Sequence, residues 1–262
     1  MSISAHQAFE YLAYFVGFQL FLMQRRNAGD VVAPRVRWSL VAAAVLGGAL
    51  GSRMLFWLED PSNTLFRLDD PTYLLAGKTA VGGLIGGLVG VELTKKALGV
   101  STRTGDLLAV PLAVGIALGR IGCFLEGLAD RTFGIATSLP WGVDFGDGVR
   151  RHPTQLYETL FLAGLAVVLA LLARRPHADG HVFRVFMMAY MAFRVLVDAI
   201  KPDPHLALGL SAIQWAALLT LGYYVFVFRQ QPATERSDAN HPASQTATAS
   251  RLGPSRRRDS RG

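Results

Sequence analysis

Four basic residues lie inside stretches of the sequence that are otherwise rich in aliphatic side chains. They are Arg53, Lys78, Arg120 and Arg194. A charged side chain at the centre of a membrane span costs about 2.5–3.5 kcal/mol by insertion scales, so such residues are rare and usually mark a site inside the helix bundle. We expect the four cations to converge on one cavity and to bind an anion at the depth of the lipid headgroups. The alternative is that each cation pairs separately with a carboxylate or a carbonyl group.

The stretch "RRHPTQLYE" contains a second group of polar residues, at the end of the long segment 126–153. His152, Gln155 and Glu158 are three residues apart and share roughly one face of a helix that begins near Pro153. The start of a helix presents free N–H groups and the positive end of its dipole. We interpret this region as a phosphate cradle. Alternatively, His152 is a capping or interfacial residue and Glu158 is the partner of a buried arginine.

The segment "YMAFRVLVD" places three polar residues one helical turn apart. Tyr190, Arg194 and Asp198 follow the spacing i, i+4, i+8, so a helix aligns them on one face. Arg194 and Asp198 could simply neutralise each other, or the three residues could form a hydrogen-bonding stripe towards the bundle interior. The single cysteine, Cys123, follows Arg120 by three residues and is interpreted as a small apolar filler.

Membrane-spanning helices are the elements that would position these residues. Seven apolar stretches are long enough to cross a bilayer, at approximately 8–24, 38–58, 73–94, 106–125, 154–173, 181–200 and 210–228. The sequence therefore predicts an all-α polytopic membrane protein with seven transmembrane helices. Glycines recur every four residues in "GKTAVGGLIGGLVGVEL" and in "LGGALGS", which predicts that each of these two helices packs closely against a neighbouring helix.

Basic residues divide unequally between the loops on the two sides of these stretches. One set of loops, together with the C-terminal tail, contains 16 Lys and Arg residues, whereas the other set, together with the N-terminus, contains 5. Because positive residues favour the cytoplasmic side, we expect a periplasmic N-terminus and a cytoplasmic C-terminus. The membrane domain is expected to cover 1–229. Residues 230–262 are expected to form a disordered basic tail, because they have too few apolar side chains to offset the entropy of ordering.

The composition excludes several classes of protein. Hydrophobic residues make up 51% of the chain and charged residues only 17%, which is too apolar for an ordinary soluble domain of 262 residues. A lone cysteine excludes an internal disulfide and a cysteine-based metal cluster, and the sequence predicts neither a metal site nor a cofactor. The basic tail is interpreted as a topology signal, so no nucleic-acid partner is expected.

Four motifs together resemble those of the prolipoprotein diacylglyceryl transferases, bacterial inner-membrane enzymes that lipidate lipoprotein precursors. "GRIGCFLEG" resembles the family's "GRxGNFxNGE", and "RHPTQLYE" is similar to its "RHPSQLYE". "AYMAFRVLVDAIKPDP" resembles the family's "GYGAFRFIVEFFRQPD", and "GGLIGG" matches the end of its "HGGLIG". The resemblance extends from residue 8 to about residue 228, and the order of the motifs and the expected topology also agree with that family.

The resemblance implies which residues act in the reaction. Those expected to be catalytic are Arg120, Arg194, His152 and Glu126. Those expected to bind substrate, with the first two as supporting cations, are Arg53, Lys78, Tyr190, Gln155, Glu158 and Asp198. The chain departs from the family pattern where Val81 replaces a histidine, Cys123 and Glu126 replace two asparagines, and Leu128 replaces a glutamate.

The activity implied by the resemblance is lipid transfer at the outer leaflet of the bacterial inner membrane. The expected partners are phosphatidylglycerol, the prolipoprotein signal peptide with its lipobox cysteine, and membrane lipids. The cysteine thiol would attack the glyceryl carbon next to the phosphate and expel glycerol phosphate, while arginines neutralise the leaving group. With valine at position 81, the candidates for the general base are His152, Glu126 and Glu158.

Two other functions fit part of the pattern. A catalytically altered paralogue would bind an anionic phospholipid without transferring it, or would use another acceptor, and the valine at position 81 favours this alternative. A small-anion transporter is disfavoured, because no inverted repeat is visible and the four cations lie towards one face of the membrane instead of at its midplane.

Deletion of residues 232–262 should leave membrane insertion and transfer activity unchanged. The reason is that this segment is polar and cannot form part of a packed membrane domain. The measurement is membrane-inserted protein and lipid transfer for the truncated and full chains. A loss of activity on truncation would show that the tail has a role of its own.

Overall fold

The protein is described by a computed structural model that covers residues 4–29 and 32–229. The predicted tail, 230–262, lies outside the described residues. The helices, in chain order, are α1 (Ala5–Ala28), α2 (Pro34–Glu59), α3 (Pro61–Phe66), α4 (Pro71–Ala76), α5 (Ala80–Ala97), α6 (Asp106–Glu126), α7 (Thr154–Ala173), α8 (His181–Asp198) and α9 (Ala212–Arg229). Single 3₁₀ turns follow α6, at Gly127–Asp130, and precede α9, at Ala207–Gly209.

The long helices coincide with the predicted apolar stretches. Three of them are long and apolar enough to cross a membrane, namely α2, α6 together with its 3₁₀ extension to Asp130, and α7. Helix α9 contributes a shorter apolar segment, Ala212–Val227. Large apolar side chains on the outside of the bundle, such as Leu46, Leu160 and Leu196, are more than 60% exposed, as expected for surfaces that contact lipid. The prediction of an all-α membrane protein is confirmed.

The third predicted stretch, 73–94, is not a single helix. Three residues separate α4 from α5, and Lys78 lies in this break instead of inside a span. Ser52 of α2 holds the break in place, because its hydroxyl donates to the Thr79 carbonyl at 2.9 Å and accepts the Thr79 N–H at 2.8 Å. The Thr79 hydroxyl in turn accepts the Gly82 N–H at 3.1 Å and caps α5.

Close helix pairs organise the bundle. Helix α1 packs along α6, and α2 packs along α5. Helix α6 also contacts α7 and α8, and α8 contacts α9. The core lies mainly among α6, α7, α8 and α9, where Leu162, Phe186, Met187 and Met191 are fully buried.

Glycines make the contact between α2 and α5 possible, as the sequence predicts. A Cβ atom added at Gly51 would lie 2.5 Å from the Gly82 carbonyl oxygen and 2.7 Å from the Gly86 Cα. Only a residue without a side chain fits there, because real Cβ atoms do not come so close to backbone atoms. This contact fixes the end of α2 that carries Arg53 against the start of α5.

The long segment before α7 contains a short hairpin of β1 (Val143–Asp144) and β2 (Arg150–Arg151). The Asp144 carboxylate closes the turn by accepting three backbone N–H groups. Arg151 holds Asp147 through two hydrogen bonds of 2.7 Å. These bonds keep the pKa of the Asp147 carboxyl below its ordinary value.

Backbone hydrogen bonds tie the start of α7 to the chain that follows α6. The Gly134 N–H donates to the His152 carbonyl at 2.8 Å, and the His152 N–H donates to the Ile135 carbonyl at 3.1 Å. The Thr154 hydroxyl donates to the Thr132 carbonyl at 2.6 Å. The first turn of α7 is therefore held close to the end of α6.

Replacement of Gly51 by alanine should destabilise the protein. Overpacking of this kind costs about 1–3 kcal/mol, and each kcal/mol lowers the melting temperature of a chain of this size by about 2–4 °C. Gly83→Ala is the matched control, because an added Cβ there would meet its nearest atoms at 3.7 and 3.8 Å. Thermal unfolding in detergent measures both variants, and equal melting temperatures would contradict the tight contact at Gly51.

Candidate active site

The site residues predicted from sequence gather at one end of the helix bundle. Arg53, Arg120 and Arg194 lie in the last two turns of α2, α6 and α8. Lys78 precedes α5, and Gln155 lies in the first turn of α7. Because these helices alternate in direction, their ends and starts meet on the same side of the bundle.

Glu158 lies at the centre of this group. The Arg120 Nε lies 2.9 Å from Glu158 Oε2, and the Arg194 Nη1 lies 3.7 Å from Oε1. The Tyr190 hydroxyl donates to Oε1 at 2.6 Å. Glu158 is only 1% exposed, so one buried carboxylate of α7 joins an arginine of α6 to an arginine of α8.

Arg194 has a second carboxylate partner one turn later on its own helix. Its Nε and Nη2 donate to the two oxygens of Asp198 at 3.0 and 2.9 Å, and its Nη1 donates to the Tyr190 hydroxyl at 3.4 Å. Lys201, which follows α8, lies 3.0 Å from Asp198. The three residues of the predicted stripe therefore share one face of α8, and Arg194 and Asp198 also neutralise each other.

The buried cluster has more positive than negative charges. Its members at ion-pair distance are the cations Arg120, Arg194 and Lys201 and the carboxylates Glu158 and Asp198, which leaves one positive charge in excess. The carboxyl groups of Glu59 and Asp203 act on it only at longer range. Burial raises the pKa of the Asp203 carboxyl above its ordinary value, although the nearby Lys201 ammonium acts in the opposite direction. An anion with one charge would balance the cluster.

Gln155 presents an amide group that has no partner. Its side chain is 1% exposed, and neither Oε1 nor Nε2 makes a hydrogen bond to any residue that the structure describes. One turn later, the Thr159 hydroxyl donates to the Ala117 carbonyl of α6 at 3.3 Å, which places this part of α7 beside Arg120. Because an unpaired buried polar group costs about 1–3 kcal/mol, the amide is suited to bind a ligand with donor and acceptor groups.

The expected convergence of four cations holds for only two of them. Arg120 and Arg194 share Glu158, but the Lys78 Nζ lies 2.8 Å from Glu10 of α1. The Arg53 Nη1 donates to the Ala49 carbonyl of its own helix at 3.2 Å, while its buried Nε has no partner among the described residues. Lys78 and Arg53 therefore follow the alternative interpretation, in which each cation has a separate partner.

His152 belongs to a different hydrogen-bonded group from Glu158. Its Nδ1 lies 3.1 Å from the Tyr157 hydroxyl, which also accepts the Trp141 Nε1–H at 2.9 Å. Glu126 ends α6, is partly exposed and makes no ion pair within the described part of the chain. The structure therefore brings neither candidate base into the ion-pair network of Arg120.

The start of α7 differs from the predicted phosphate cradle. The helix begins at Thr154, and Pro153 is its N-cap. The N–H groups of Thr154, Leu156 and Tyr157 already donate to the carbonyls of His152 and Pro153. Most of the helix start is therefore occupied by local backbone bonds, and the positive charge comes from the arginines of neighbouring helices.

The structure adds residues that sequence reasoning missed. Lys201 was counted as part of a loop, although its spacing of three from Asp198 resembles a helical ion pair. His6 lies just before the first apolar stretch, and Glu10 lies near its start. Their spacing of four residues, which places both side chains on one face of a helix, is the feature of the sequence that points to them. The His6 Nδ1 lies 3.7 Å from Asp130 Oδ1, and its Nε2 lies 3.9 Å from Glu10 Oε2.

His6, Cys123 and Asp130 are of types that bind metals, and their ligand atoms lie within 4.8 Å of one another. The Arg120 Nη1, however, lies 3.9 Å from the Cys123 sulfur. A fixed guanidinium charge at that distance opposes the binding of a metal cation. We therefore do not assign a metal to this group.

Fold and site together define an α-helical membrane protein whose buried polar cluster has excess positive charge at one end of the bundle. That arrangement is suited to an enzyme or carrier that acts on an anion at the membrane surface. The sequence matches the family model of prolipoprotein diacylglyceryl transferase over residues 3–229, and the chain belongs to this family.

Relatives from several bacteria have the same description, "phosphatidylglycerol--prolipoprotein diacylglyceryl transferase". The protein of Bordetella bronchiseptica is 38% identical over 241 residues, which cover 83% of this chain and 90% of the relative. The proteins of Cupriavidus necator and Geobacter sulfurreducens are 37% and 36% identical and cover 86% and 82% of this chain, and 90% and 85% of their own lengths.

Glu158→Gln should destabilise the fold strongly. Removal of the shared carboxylate leaves two buried arginines with less negative charge beside them. Breaking a buried ion pair in this way costs about 3–5 kcal/mol of folding stability. The control is Asp147→Asn, which removes the exposed partner of Arg151 in the hairpin and should change stability little. Thermal unfolding of both variants in detergent tests this, and an unchanged melting temperature for Glu158→Gln would contradict its central role.

Proposed function

We propose that the protein transfers the diacylglyceryl group of phosphatidylglycerol to the lipobox cysteine of a prolipoprotein. The names of the relatives support the reaction. The observation in this chain that carries the proposal is the buried cluster around Glu158, where three cations face two carboxylates. Phosphatidylglycerol contributes a phosphodiester with one negative charge, which matches the positive excess.

We further propose that seven helices cross the inner membrane, with a periplasmic N-terminus and with residues 230–262 in the cytoplasm. The site then lies towards the outer leaflet, where phosphatidylglycerol and an exported lipobox meet. The distribution of basic residues supports this orientation, since the helix ends and loops away from the site contain nine Lys and Arg residues in the described part of the chain, against six in the loops on the side of the site.

The reaction is a displacement at a saturated carbon. The acceptor thiol loses its proton, its sulfur attacks the glyceryl carbon attached to the phosphate, and the carbon–oxygen bond breaks. The electron pair of that bond passes to a phosphate oxygen of glycerol phosphate. Negative charge therefore grows on the leaving group, and preorganised cations that face it lower the barrier.

Arg120 and Arg194 are the residues that would hold the phosphate. Glu158 orients both guanidinium groups and, being shared between them, leaves N–H donors of each free to turn towards a ligand. The unpaired amide of Gln155 lies one turn before Glu158 and would bind a hydroxyl or ester oxygen of the lipid. Tyr190 and Asp198 position the arginines, whereas Lys78 is paired with Glu10 and does not act on the phosphate directly.

The catalytically altered paralogue is the second candidate, and one observation favours it. Val81 occupies the position where the family motif has histidine, and it is fully buried in the hydrophobic core. A chain without a base would still bind phosphatidylglycerol through the arginines. Measurable lipid binding without any transfer would therefore support this alternative.

Arg120→Lys should abolish most of the transfer rate while the protein still inserts into the membrane. A guanidinium is planar and holds a carboxylate and phosphate oxygens at once, whereas an ammonium is a point charge on a flexible stem. Loss of preorganised charge at a developing anion lowers the rate by about 10²–10³-fold. The assay is the transfer of labelled phosphatidylglycerol lipid to a lipobox peptide, normalised to inserted protein.

Arg103→Lys is the matched control, because Arg103 lies before α6 at the opposite end of the bundle, where it donates a long hydrogen bond to the Asp179 carbonyl, at 3.4 Å. It should retain the full rate. A full rate in Arg120→Lys would show that this arginine only anchors a helix. Complementation of a strain depleted of its own diacylglyceryl transferase tests the proposed activity in the cell.

A further inference from the structure

The proposed reaction needs a base, and the candidates predicted from sequence are poorly placed for that role. Glu158 is held by two arginines and a tyrosine, so its carboxylate is already engaged in the cluster. His152 is bonded to Tyr157 in the outer segment, and Glu126 lies at the end of α6 without an ion pair to the described residues around Arg120. The proton of the acceptor thiol must therefore pass to a group outside this set.

A histidine from the first helix, His6, lies close to Cys123, as Arg120 does. The Arg120 Nη1 is 3.9 Å from the Cys123 sulfur. The same sulfur lies within 4.8 Å of a ring nitrogen of His6 and of a carboxylate oxygen of Asp130. Cys123 thus marks a position where a sulfur atom has both a guanidinium and an imidazole within 4.8 Å.

Contacts between α1 and α6 fix this arrangement. At Gly122, an added Cβ would lie 2.8 Å from the Phe9 Cβ and 3.2 Å from the His6 carbonyl oxygen, so α1 approaches α6 closely only because residue 122 is glycine. Asp130 ends the 3₁₀ turn after α6, where the Thr132 hydroxyl donates to its carboxylate. The imidazole and its carboxylate neighbour are both held by the end of the helix that carries Arg120.

The nitrogens of His6 are positioned but not committed to hydrogen bonds. Nδ1 is buried and has no hydrogen-bond partner among the described residues, and it faces the Asp130 carboxylate at 3.7 Å. Nε2 faces Glu10 at 3.9 Å, but Glu10 makes its close contact with Lys78, at 2.8 Å. The His6 side chain is 32% exposed, so a substrate can reach it from outside the bundle.

We propose that His6 is the general base of the transfer reaction and that Asp130 is its positioning residue. The inference rests on the proposed function. Asp130 orients the ring through Nδ1, as the third group of a nucleophile–base pair does, and Nε2 accepts the proton of the lipobox thiol. The carbon–sulfur bond then forms as the carbon–oxygen bond breaks. The proton afterwards leaves the imidazole for glycerol phosphate or water.

Cys123 itself is not the nucleophile in this scheme. Attack by its thiolate on phosphatidylglycerol would form a thioether on the enzyme, which is the same stable bond that the reaction makes in its product. A second displacement would have to expel a thiolate from a saturated carbon. Cys123 instead borders the place where the acceptor sulfur binds, close to both His6 and Arg120.

His6→Gln should lower the transfer rate at neutral pH by about 10²–10⁴-fold, the usual contribution of a general base. The deficit should shrink as the pH rises past about 8.5, because the acceptor thiol then ionises without help. The titratable groups that face His6 or its carboxylate neighbours are Glu10 on α1, Lys78 before α5, Cys123 on α6 and Asp130 in the turn. Binding of phosphatidylglycerol vesicles should be unchanged, since Arg120 and Arg194 remain.

His177→Gln is the matched control, because His177 lies between α7 and α8 at the opposite end of the bundle, and it should leave the rate unchanged. Asp130→Asn, which keeps the imidazole, should give a smaller loss of rate together with a shifted pH profile. If His6→Gln does not insert, His6→Ala with added imidazole serves instead, and recovery of the rate by imidazole supports the role of the ring.

The outcomes separate this inference from the proposed function. If the unmutated chain is active and His6→Gln has the same rate at every pH from about 6 to about 9, then His6 is not the base. The proposed transferase activity is unaffected by that result. An unmutated chain that binds phosphatidylglycerol but transfers nothing would overturn both. A selective loss at neutral pH that alkaline conditions reverse supports both.

Discussion

The ion pairs of Glu158 are the interaction on which the rest of the site depends. Arg120 and Arg194 are on different helices, and each would be costly to bury alone. One carboxylate from a third helix offsets the cost for both and fixes the distance between them. The backbone bonds that hold the start of α7 to the chain after α6 determine where this carboxylate lies. The fold thus positions one carboxylate between two guanidinium groups.

Two polar groups with different exposure lie side by side at this end of the bundle. The cluster around Glu158 is buried, and charges in an interior of low dielectric constant act most strongly on a bound anion. The group of His6, Glu10 and Lys78 is partly open and contains an imidazole. Cys123 lies near both groups, 3.9 Å from Arg120 Nη1 and within 4.8 Å of a ring nitrogen of His6. On these proposals, the buried cluster around Glu158 binds the phosphate, and the partly open group around His6 removes the proton.

Periodicity and composition predicted the helices well, because apolar stretches of this length have few alternatives in lipid. The ladder of Tyr190, Arg194 and Asp198 was also predictable, since its members share one helix. Contacts between side chains on different helices were not predictable in this way. The pairing of Lys78 with Glu10 depends on a break before α5 that a continuous apolar run conceals, and the position of His6 depends on close packing at Gly122. A single sequence contains no information on which distant helices meet.

The short helices have a consequence for the surrounding lipid. Helices α5, α8 and α9 contain 18 residues each, which corresponds to a length of about 27 Å. This length is less than the hydrocarbon thickness of a typical bilayer, about 30 Å, whereas α2 has 26 residues and reaches about 39 Å. On the proposed topology, the bilayer must become thinner beside the short helices while α2 tilts. Local thinning lowers the headgroups towards Arg194, so the protein would shorten the distance that a phospholipid has to travel to the buried charges.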